Sequence, residues 1–270
     1  MEDNLPCTSS RARPNHCHGK QIFKTSKLGF QLSDLPEDML CKILSELPLK
    51  EVIRTSVLSS KWRHVRTINP KLRFDGMTMR SHRSVYGSNQ CTQEFIQNVN
   101  AALKQHNGMF VEDFELNLGF TIPTMLENTS KFSQLRYLVL ELTLNYIDSG
   151  NILSLASYLK AAPLVEKFEL HFNDFICPHL DWEGEPLRSL PQCPHIYLKD
   201  LYITGFSACT GQLEILLRTL ENAPGLEVVT LDPALRSGKN IDALLSQIAH
   251  EISRRHLRGR ISPSTKLCIL

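Results

Sequence analysis

The chain has 270 residues, of which 42% are apolar and 21% are charged, and its formal net charge at pH 7 is +2. This composition is typical of a soluble globular protein and argues against a wholly disordered chain. The near balance of charge argues against a strongly basic nucleic-acid-binding protein, which needs excess positive charge to neutralise phosphates. No apolar run approaches the ~20 residues that span a bilayer, and the amino-terminal stretch lacks the apolar core of a secretory signal. We therefore expect a location in the cytoplasm, the nucleus or both, with no membrane partner and no specific nucleic-acid partner.

Three short helical patterns follow a polar, non-periodic stretch that we predict to be a disordered tail. Pro36 suits the opening turn of the first helix, where its missing N–H would be unpaired in any case. The apolar stripe of this helix has the i, i+3, i+4, i+7 spacing of an amphipathic helix and consists of Leu40, Ile43, Leu44 and Leu47. The second helix carries Val52, Ile53 and Val57, and the third carries Trp62 and Val65. A helical unit of about 40 residues rarely closes a sufficient core alone, so part of this apolar surface must pack on the rest of the chain or on another protein.

This helical segment resembles an F-box, the short module that docks on the Skp-type adaptor of cullin–RING ubiquitin ligases. Its run RTSVLSSKWRHV is close to the version common in large plant F-box families. The resemblance implies an adaptor-binding set formed by Leu35, Pro36, Leu40, Ile43, Leu44, Leu47, Pro48, Val52, Ile53, Val57, Leu58, Ser59, Trp62 and Arg63. It also implies that this chain supplies no catalytic residue, because ubiquitin transfer belongs to other subunits of the ligase. The sequence identifies no cofactor.

A repeated pattern begins after a polar linker that contains one candidate short strand at residues 71–74. Five times an apolar residue is followed by others at +3 and +5, in the triplets Val111/Phe114/Leu116, Leu135/Leu138/Leu140, Val165/Phe168/Leu170, Leu198/Leu201/Ile203 and Leu226/Val229/Leu231. The starts lie 24, 30, 33 and 28 residues apart, which is typical of leucine-rich repeats. Amphipathic helical stretches begin near Phe95, Ile152, Leu213 and Ile241. Strand–helix alternation predicts a parallel sheet with helices on one face, in which each unit stacks on its neighbour.

The carboxyl-terminal part resembles the FBD region that follows the F-box and leucine-rich repeats in plant proteins. The resemblance rests on the third predicted helix of the repeat region and on the flanking pairs Gly205-Phe206, Asn222-Ala223 and Asp232-Pro233. Relatives usually have more repeats between the F-box and this region, so the chain resembles a shortened member of the plant F-box/leucine-rich-repeat/FBD family.

The predicted fold class is therefore α/β with an all-α F-box, in which a three-helix F-box precedes a short leucine-rich-repeat-like solenoid. The predicted divisions are a disordered tail at 1–30, the F-box at 31–68, a linker at 69–91, a leucine-rich-repeat-like region at 92–197, an FBD-like region at 198–260 and a carboxyl-terminal tail at 261–270.

Strand alternation also predicts which side chains face the open side of the sheet. If the triplet residues point inward, the residues between them point outward. The central outward row would be Glu115, Val139, Glu169, Tyr202 and Thr230. The flanking rows would include Tyr137, Lys167 and His171. We predict that these eight residues form a target-binding surface; the alternative is a merely solvated face.

Two further patterns have weaker chemical meaning. The triplets Cys177-Pro178-His179 and Cys193-Pro194-His195 contain zinc-ligand types, but their i, i+2 spacing across proline is unusual for a structural zinc site, and we expect turns and no metal. The basic run at residues 254–260 ends a predicted helix, where positive charge complements the helix dipole. A nuclear address or contact with acidic groups is the alternative for this run.

Together, the resemblances imply a substrate-receptor subunit of an SCF (Skp–cullin–F-box) ubiquitin ligase. The F-box would bind the Skp-type adaptor, and the repeat region would recruit a target protein. The alternative is a non-ligase interaction protein or decoy whose repeat region is too short to present a target.

Overall fold

The structure is a computed structural model, and its described residues are 34–47, 49–55, 57, 60–76, 79, 89–107, 111–118, 129–143, 155–173, 193–236 and 243–270. The predicted tail at 1–30 lies outside these residues. The helices in chain order are α1 (Glu37–Ser45), α2 (Leu49–Thr55), α3 (Ser60–Ile68), α4 (Asn89–Gln105), α5 (Ala156–Ala161), α6 (Thr210–Asn222) and α7 (Ala243–Leu257), with a 3₁₀ helix at Thr129–Gln134.

Seven parallel strands form a single sheet whose spatial order is the chain order. They are β1 (Lys71–Asp75), β2 (Asp113–Leu118), β3 (Tyr137–Thr143), β4 (Lys167–Asn173), β5 (Asp200–Thr204), β6 (Val228–Asp232) and β7 (Lys266–Ile269). Helices or the 3₁₀ helix separate most successive strands. The predicted α/β class and its parallel sheet are confirmed, and the sequential strand order is the arrangement expected of a solenoid.

The five predicted triplets coincide with strands β2 to β6. At each triplet the +3 and +5 residues are buried, as are the apolar residues that open the triplets. These side chains join apolar residues of α4, α5 and α6 in one core. The phenylalanines extend this packing along the sheet, since the ring centroids of Phe74 and Phe114 lie 5.6 Å apart and those of Phe114 and Phe132 lie 4.7 Å apart.

Two strands lie in stretches that the sequence assigned to connections. β1 falls within the predicted linker and pairs with β2, and β7 falls within the predicted carboxyl-terminal tail and pairs with β6. Each strand is only five or four residues long and carries just two apolar residues of the repeated pattern. Leu72 and Phe74 are buried, whereas Leu267 and Ile269 are half-buried on the outermost strand.

The first three helices pack on one another and on the start of the sheet. α1 and α2 both contact α3, and both also contact β1. The carbonyl of Leu35, just before α1, accepts a hydrogen bond from Lys61 Nζ in α3. The helices therefore pack against the first strand of the sheet.

Gly205 ends β5 in a conformation that disfavours other residues. Its φ is +65°, and a Cβ at this position would lie inside contact distance of the Phe172 carbonyl oxygen and 3.1 Å from Leu235 Cδ2. Its N–H donates to the carbonyl of Ala234 at 2.9 Å. The neighbouring backbone passes so close to this position that no side chain fits, so the position requires glycine.

We expect Gly205→Ala to lower the free energy of unfolding by about 3 kcal/mol, because a strained φ alone costs on the order of 1–3 kcal/mol and the clash adds to it. Gly259→Ala is the matched control, since Gly259 has φ +78° but no atom within 4 Å of the added Cβ. Urea denaturation of both variants measures the difference. Equal losses in the two variants would contradict the steric explanation.

Candidate interaction surfaces

The structure divides the predicted adaptor-binding residues into an inward set and an outward set. Four of them are buried in the core of this chain, namely Leu40, Leu44, Val52 and Trp62. Leu35 and Leu47 are half-buried and pack against that core. The outward set consists of Pro36, Ile43, Val57 and Arg63. Pro48, Leu58 and Ser59 lie outside the described residues, as does the side chain of Ile53.

Three large apolar side chains of this helical segment remain exposed, and we call Met39, Ile43 and Val57 the exposed apolar set. Ile43 is 38% exposed and Val57 is 81% exposed. Met39, which the sequence analysis did not single out, is 49% exposed. It lies four residues before Ile43 in α1, so the two share one face of the helix. The sequence could have indicated Met39, because the i, i+4 spacing places it on the same helix face as Ile43 of the predicted stripe.

The predicted outward row of the sheet is placed in register by the structure, but Val139 is only 4% exposed and is not an accessible member of the predicted surface. Glu115 pairs with Val139, Val139 with Glu169, Glu169 with Tyr202, and Tyr202 with Thr230. Lys167 lies between Tyr137 and Asp200 in one flanking row, and its Nζ lies 5.2 Å from the Tyr137 ring centroid. We refer to the outward faces of β1 to β7 as the open face.

Glu169 is the centre of the polar network on the open face. Its carboxylate lies 2.8 Å from Lys167 Nζ and 3.1 Å from His171 Nε2, and it also accepts a hydrogen bond from Tyr137. Burial alone would raise the pKa of Glu169, but these three hydrogen bonds and the positive charge of Lys167 lower it to about 2. The carboxylate is thus held ionised although its side chain is only 12% exposed.

The network continues toward the carboxyl-terminal strands. The buried His171 joins Thr204 Oγ1 through Nδ1 at 2.9 Å, and its ring meets that of Tyr202 edge-on with centroids 5.9 Å apart. The Tyr202 hydroxyl donates to Asp232 at 3.1 Å. Burial first and the Asp232 carboxylate second raise the pKa of Tyr202, so this hydroxyl remains a hydrogen-bond donor at neutral pH.

Arg236 contributes to the open face from the segment after β6. Its guanidinium lies 3.8 Å from Glu115 and 3.4 Å from Glu141, on β2 and β3. Glu115 also pairs with Arg73 at 2.9 Å, and Glu141 accepts a hydrogen bond from Asn173. The sequence analysis missed Arg236, because no local pattern indicates that a residue after β6 reaches side chains about a hundred positions earlier.

The backbone of the second Cys-Pro-His triplet is hydrogen-bonded to the end of α6, and a turn follows it at residues 196–197. The Cys193 N–H donates to the Asn222 side chain at 3.1 Å, and the His195 N–H donates to the Asn222 carbonyl at 2.7 Å. Burial lowers the pKa of His195. Within the part of the chain that the structure describes, no three His, Cys, Asp or Glu residues are grouped to hold a metal ion; the first triplet, at 177–179, lies outside that part.

Replacing Glu169 by Gln should lower the free energy of unfolding at pH 7 by on the order of 2 kcal/mol. Because its folded pKa lies below the ordinary value of 4.5, the stabilisation is fully present above that pH and is lost as the pH falls toward 2. The difference between wild type and Glu169→Gln should therefore shrink between pH 5 and pH 2, as measured by urea denaturation. Glu227→Gln is the control, since this exposed carboxylate lies 3.8 Å from Lys199. A pH-independent difference for Glu169→Gln would contradict the assignment.

No helix among the residues described here has both the length and the apolar character needed to cross a membrane.

Two family models match the chain. The model described as At1g61320/AtMIF1, LRR domain matches residues 121–259, and the F-box domain model matches residues 32–72. The second match covers α1, α2 and α3 and continues into β1.

Curated relatives from Arabidopsis thaliana combine the same parts. The F-box/FBD/LRR-repeat protein At2g04230 is 36% identical over 100 residues, covering 36% of this chain and 21% of that protein. The putative F-box/FBD/LRR-repeat protein At3g49030 is 28% identical over 173 residues, covering 53% and 37%. The putative F-box/LRR-repeat protein At5g41840 is 28% identical over 199 residues, covering 70% and 35%. The matches thus span between about a fifth and two fifths of the relatives' own lengths.

The fold and the two family matches indicate the same combination of an F-box domain with leucine-rich repeats. The predicted membership of the plant F-box/leucine-rich-repeat/FBD group is confirmed. The chain belongs to the leucine-rich-repeat family represented by the At1g61320/AtMIF1 LRR domain, and it joins that domain to an F-box domain as the plant F-box/LRR-repeat proteins do.

Proposed function

We propose that this protein is a non-catalytic substrate-receptor subunit of an SCF ubiquitin ligase. Its F-box would bind the Skp-type adaptor, and its open face would bind a target protein. The mechanism is proximity, because holding a target beside the transfer machinery replaces a bimolecular search with a local one. The expected location in the cytoplasm, the nucleus or both is part of this proposal.

The observation that carries the adaptor proposal is the exposure of Met39, Ile43 and Val57 in the F-box segment. Among the described residues of this segment, other large apolar side chains, including Leu44 and Trp62, are buried in this chain's own core. The exposed apolar set is therefore not needed to fill that core. Exposed apolar side chains gathered on one module favour a protein partner, and the F-box match supplies its class.

The chemistry of the open face supports a role in recognising a target. The half-buried Tyr137 and Tyr202 offer aromatic edges and polar tips on the sheet, and the paired carboxylates offer hydrogen-bond acceptors. The buried His171 holds Glu169 and Thr204 in place. Aromatic residues with a polar tip are enriched at protein interfaces. The network holds these groups in fixed positions, so a target would meet a preorganised surface.

We expect the double variant Met39→Ser/Ile43→Ser to recover at least about ten-fold less adaptor in co-purification, because each lost apolar side chain removes about 1.5–3 kcal/mol of burial. Its unfolding midpoint should stay close to that of wild type, since both side chains are partly solvent-exposed. Ile196→Ser is the matched control, as Ile196 is an exposed isoleucine outside the F-box. Normal adaptor recovery with the double variant would reject this docking surface.

Tyr202→Ala should reduce binding of targets cross-linked to the wild-type complex while leaving adaptor recovery unchanged. Tyr197→Ala is the matched control, because Tyr197 is an exposed tyrosine in the turn before β5 and not on the open face. Quantitative mass spectrometry of cross-linked proteins compares the three forms. If both variants retain the same targets as wild type, the open face is not the target-binding surface.

Ubiquitination of such a target in a reconstituted complex separates a receptor from a decoy. A receptor supports transfer that Met39→Ser/Ile43→Ser abolishes. A chain that binds adaptor and target without supporting transfer is a decoy.

A further inference from the structure

The last turn of α7 points a group of arginines away from the core. Ala249, Ser253 and Leu257 are buried and recur every four residues, so they define the inward side of this helix. Arg254, Arg255, Arg258 and Arg260 are all exposed. The Arg258 N–H still donates to the Arg254 carbonyl at 3.2 Å, which continues the helical turn.

Among the residues that the structure describes, these four arginines differ from most other arginines in having no carboxylate partner. Arg54, Arg73, Arg136, Arg218 and Arg236 each pair with a glutamate. Within the described residues, none of the four makes an ion pair. Glu251 lies three and four positions before the first two arginines, yet it forms no ion pair with either of them.

The folded chain therefore concentrates positive charge without neutralising it. The helix dipole favours cations at the last turn, but Arg254 and Arg258 stand at i and i+4, where like charges repel. Burial first and the charges of Arg255 and Arg260 second lower the pKa of His256, which is consistent with a locally positive potential. A multivalent anion would relieve this repulsion.

We propose that Arg254, Arg255, Arg258 and Arg260 form a binding surface, the arginine surface, for a doubly phosphorylated segment of a partner protein. Guanidinium groups bind phosphate oxygens in a bidentate fork. Two phosphate groups carry roughly three to four negative charges at pH 7, which matches four arginines. The rise from Arg254 to Arg258 is about 6 Å, close to the roughly 7 Å between alternate residues of an extended peptide.

The same observations disfavour a nucleic acid as the partner. The four arginines lie in one stretch of seven residues at the carboxyl end of α7, and the whole chain has a net charge of only +2. Proteins that bind duplexes neutralise about 6–10 phosphates along an extended track. The large apolar side chains that the structure shows as exposed include none between residues 243 and 265, so the described part of this surface offers no aromatic platform for stacking bases.

The arginine surface is independent of the proposed ligase function and can be tested on the full chain. The probe is a fluorescein-labelled acidic peptide with two phosphoserines separated by one residue, and binding is followed by fluorescence anisotropy at 100 mM salt. The unphosphorylated peptide and a single-stranded oligouridine are tested as alternative ligands. Co-purification with the adaptor is measured on the same variants.

We expect wild type to bind the phosphorylated peptide at least about ten-fold more tightly than the unphosphorylated one, and Arg254→Ala/Arg258→Ala to weaken binding by at least about ten-fold. Arg258→Ala/Arg260→Ala should show the same loss; both positions follow α7, so this pair tests the surface without altering the helix. Lys104→Ala/Lys160→Ala removes the same charge from two other exposed positions and should bind within about two-fold of wild type.

Equal binding by wild type and Arg258→Ala/Arg260→Ala would overturn the proposal. So would tighter binding of oligouridine than of the phosphorylated peptide, which would indicate a nucleic-acid surface. Adaptor recovery should be unchanged in the arginine variants, so failure of this proposal is distinguishable from failure of the ligase proposal.

Discussion

The structure depends on the stacking of each strand against the next. The inward residues of one strand, such as Phe168 and Leu170, have no cover within their own short unit. Backbone hydrogen bonds fix how the units stack, because the carbonyl just before one strand accepts the N–H groups that open the next. The accepting residues are Pro70, Glu112, Arg136, Glu166, Lys199 and Glu227, with N···O distances of 2.8–3.2 Å. This ladder sets the parallel register, and the register in turn aligns the outward rows.

Stacking also explains where the F-box lies. A solenoid has an uncovered unit at each end unless another element caps it. Here α1 and α2 contact β1, so the helices that carry the F-box match also cover the first strand. One side of this segment therefore stabilises the sheet, while Met39, Ile43 and Val57 remain outside. The buried and the exposed apolar side chains thus differ within the same short segment, although the amphipathic stripe of α1 contains both Leu44 and Ile43.

The sequence predicted the repeats because each one shows the same physical constraint. In five strands alternate residues must be buried, and the apolar triplets mark these residues in the sequence. Once the strands stack in order, the residues between them align in the row from Glu115 to Thr230. The candidate strand at residues 71–74 corresponds to β1 but was placed in a linker and not in the sheet. β7 was not predicted, because a strand with only two apolar residues of the repeated pattern carries a weak signal. The sequence also could not show that Trp62 is buried while Ile43 is exposed. The family pattern marks both positions but does not indicate which side chain packs in this chain's own core.

The polar features of the open face were only partly predictable for a different reason. Alternation places Glu169 and His171 on that face, but it does not indicate that three neighbours lower the pKa of Glu169 or that Arg236 reaches Glu115. Such contacts join residues that are distant in sequence and depend on side-chain geometry after stacking.

The two charged surfaces of the molecule thus have different physical characters. On the open face, Lys71 lies 2.8 Å from Asp113, Arg73 pairs with Glu115, and Lys167 pairs with Glu169. A partner there would gain little from net charge and would be selected mainly by shape, by hydrogen bonds and by contact with Tyr137 and Tyr202. At the end of α7 the arginines have no carboxylate partner in the described part of the chain, so long-range attraction would dominate and would weaken as salt increases. Recognition through the open face should accordingly be short-ranged and specific, whereas the arginine surface would favour faster association with anionic partners.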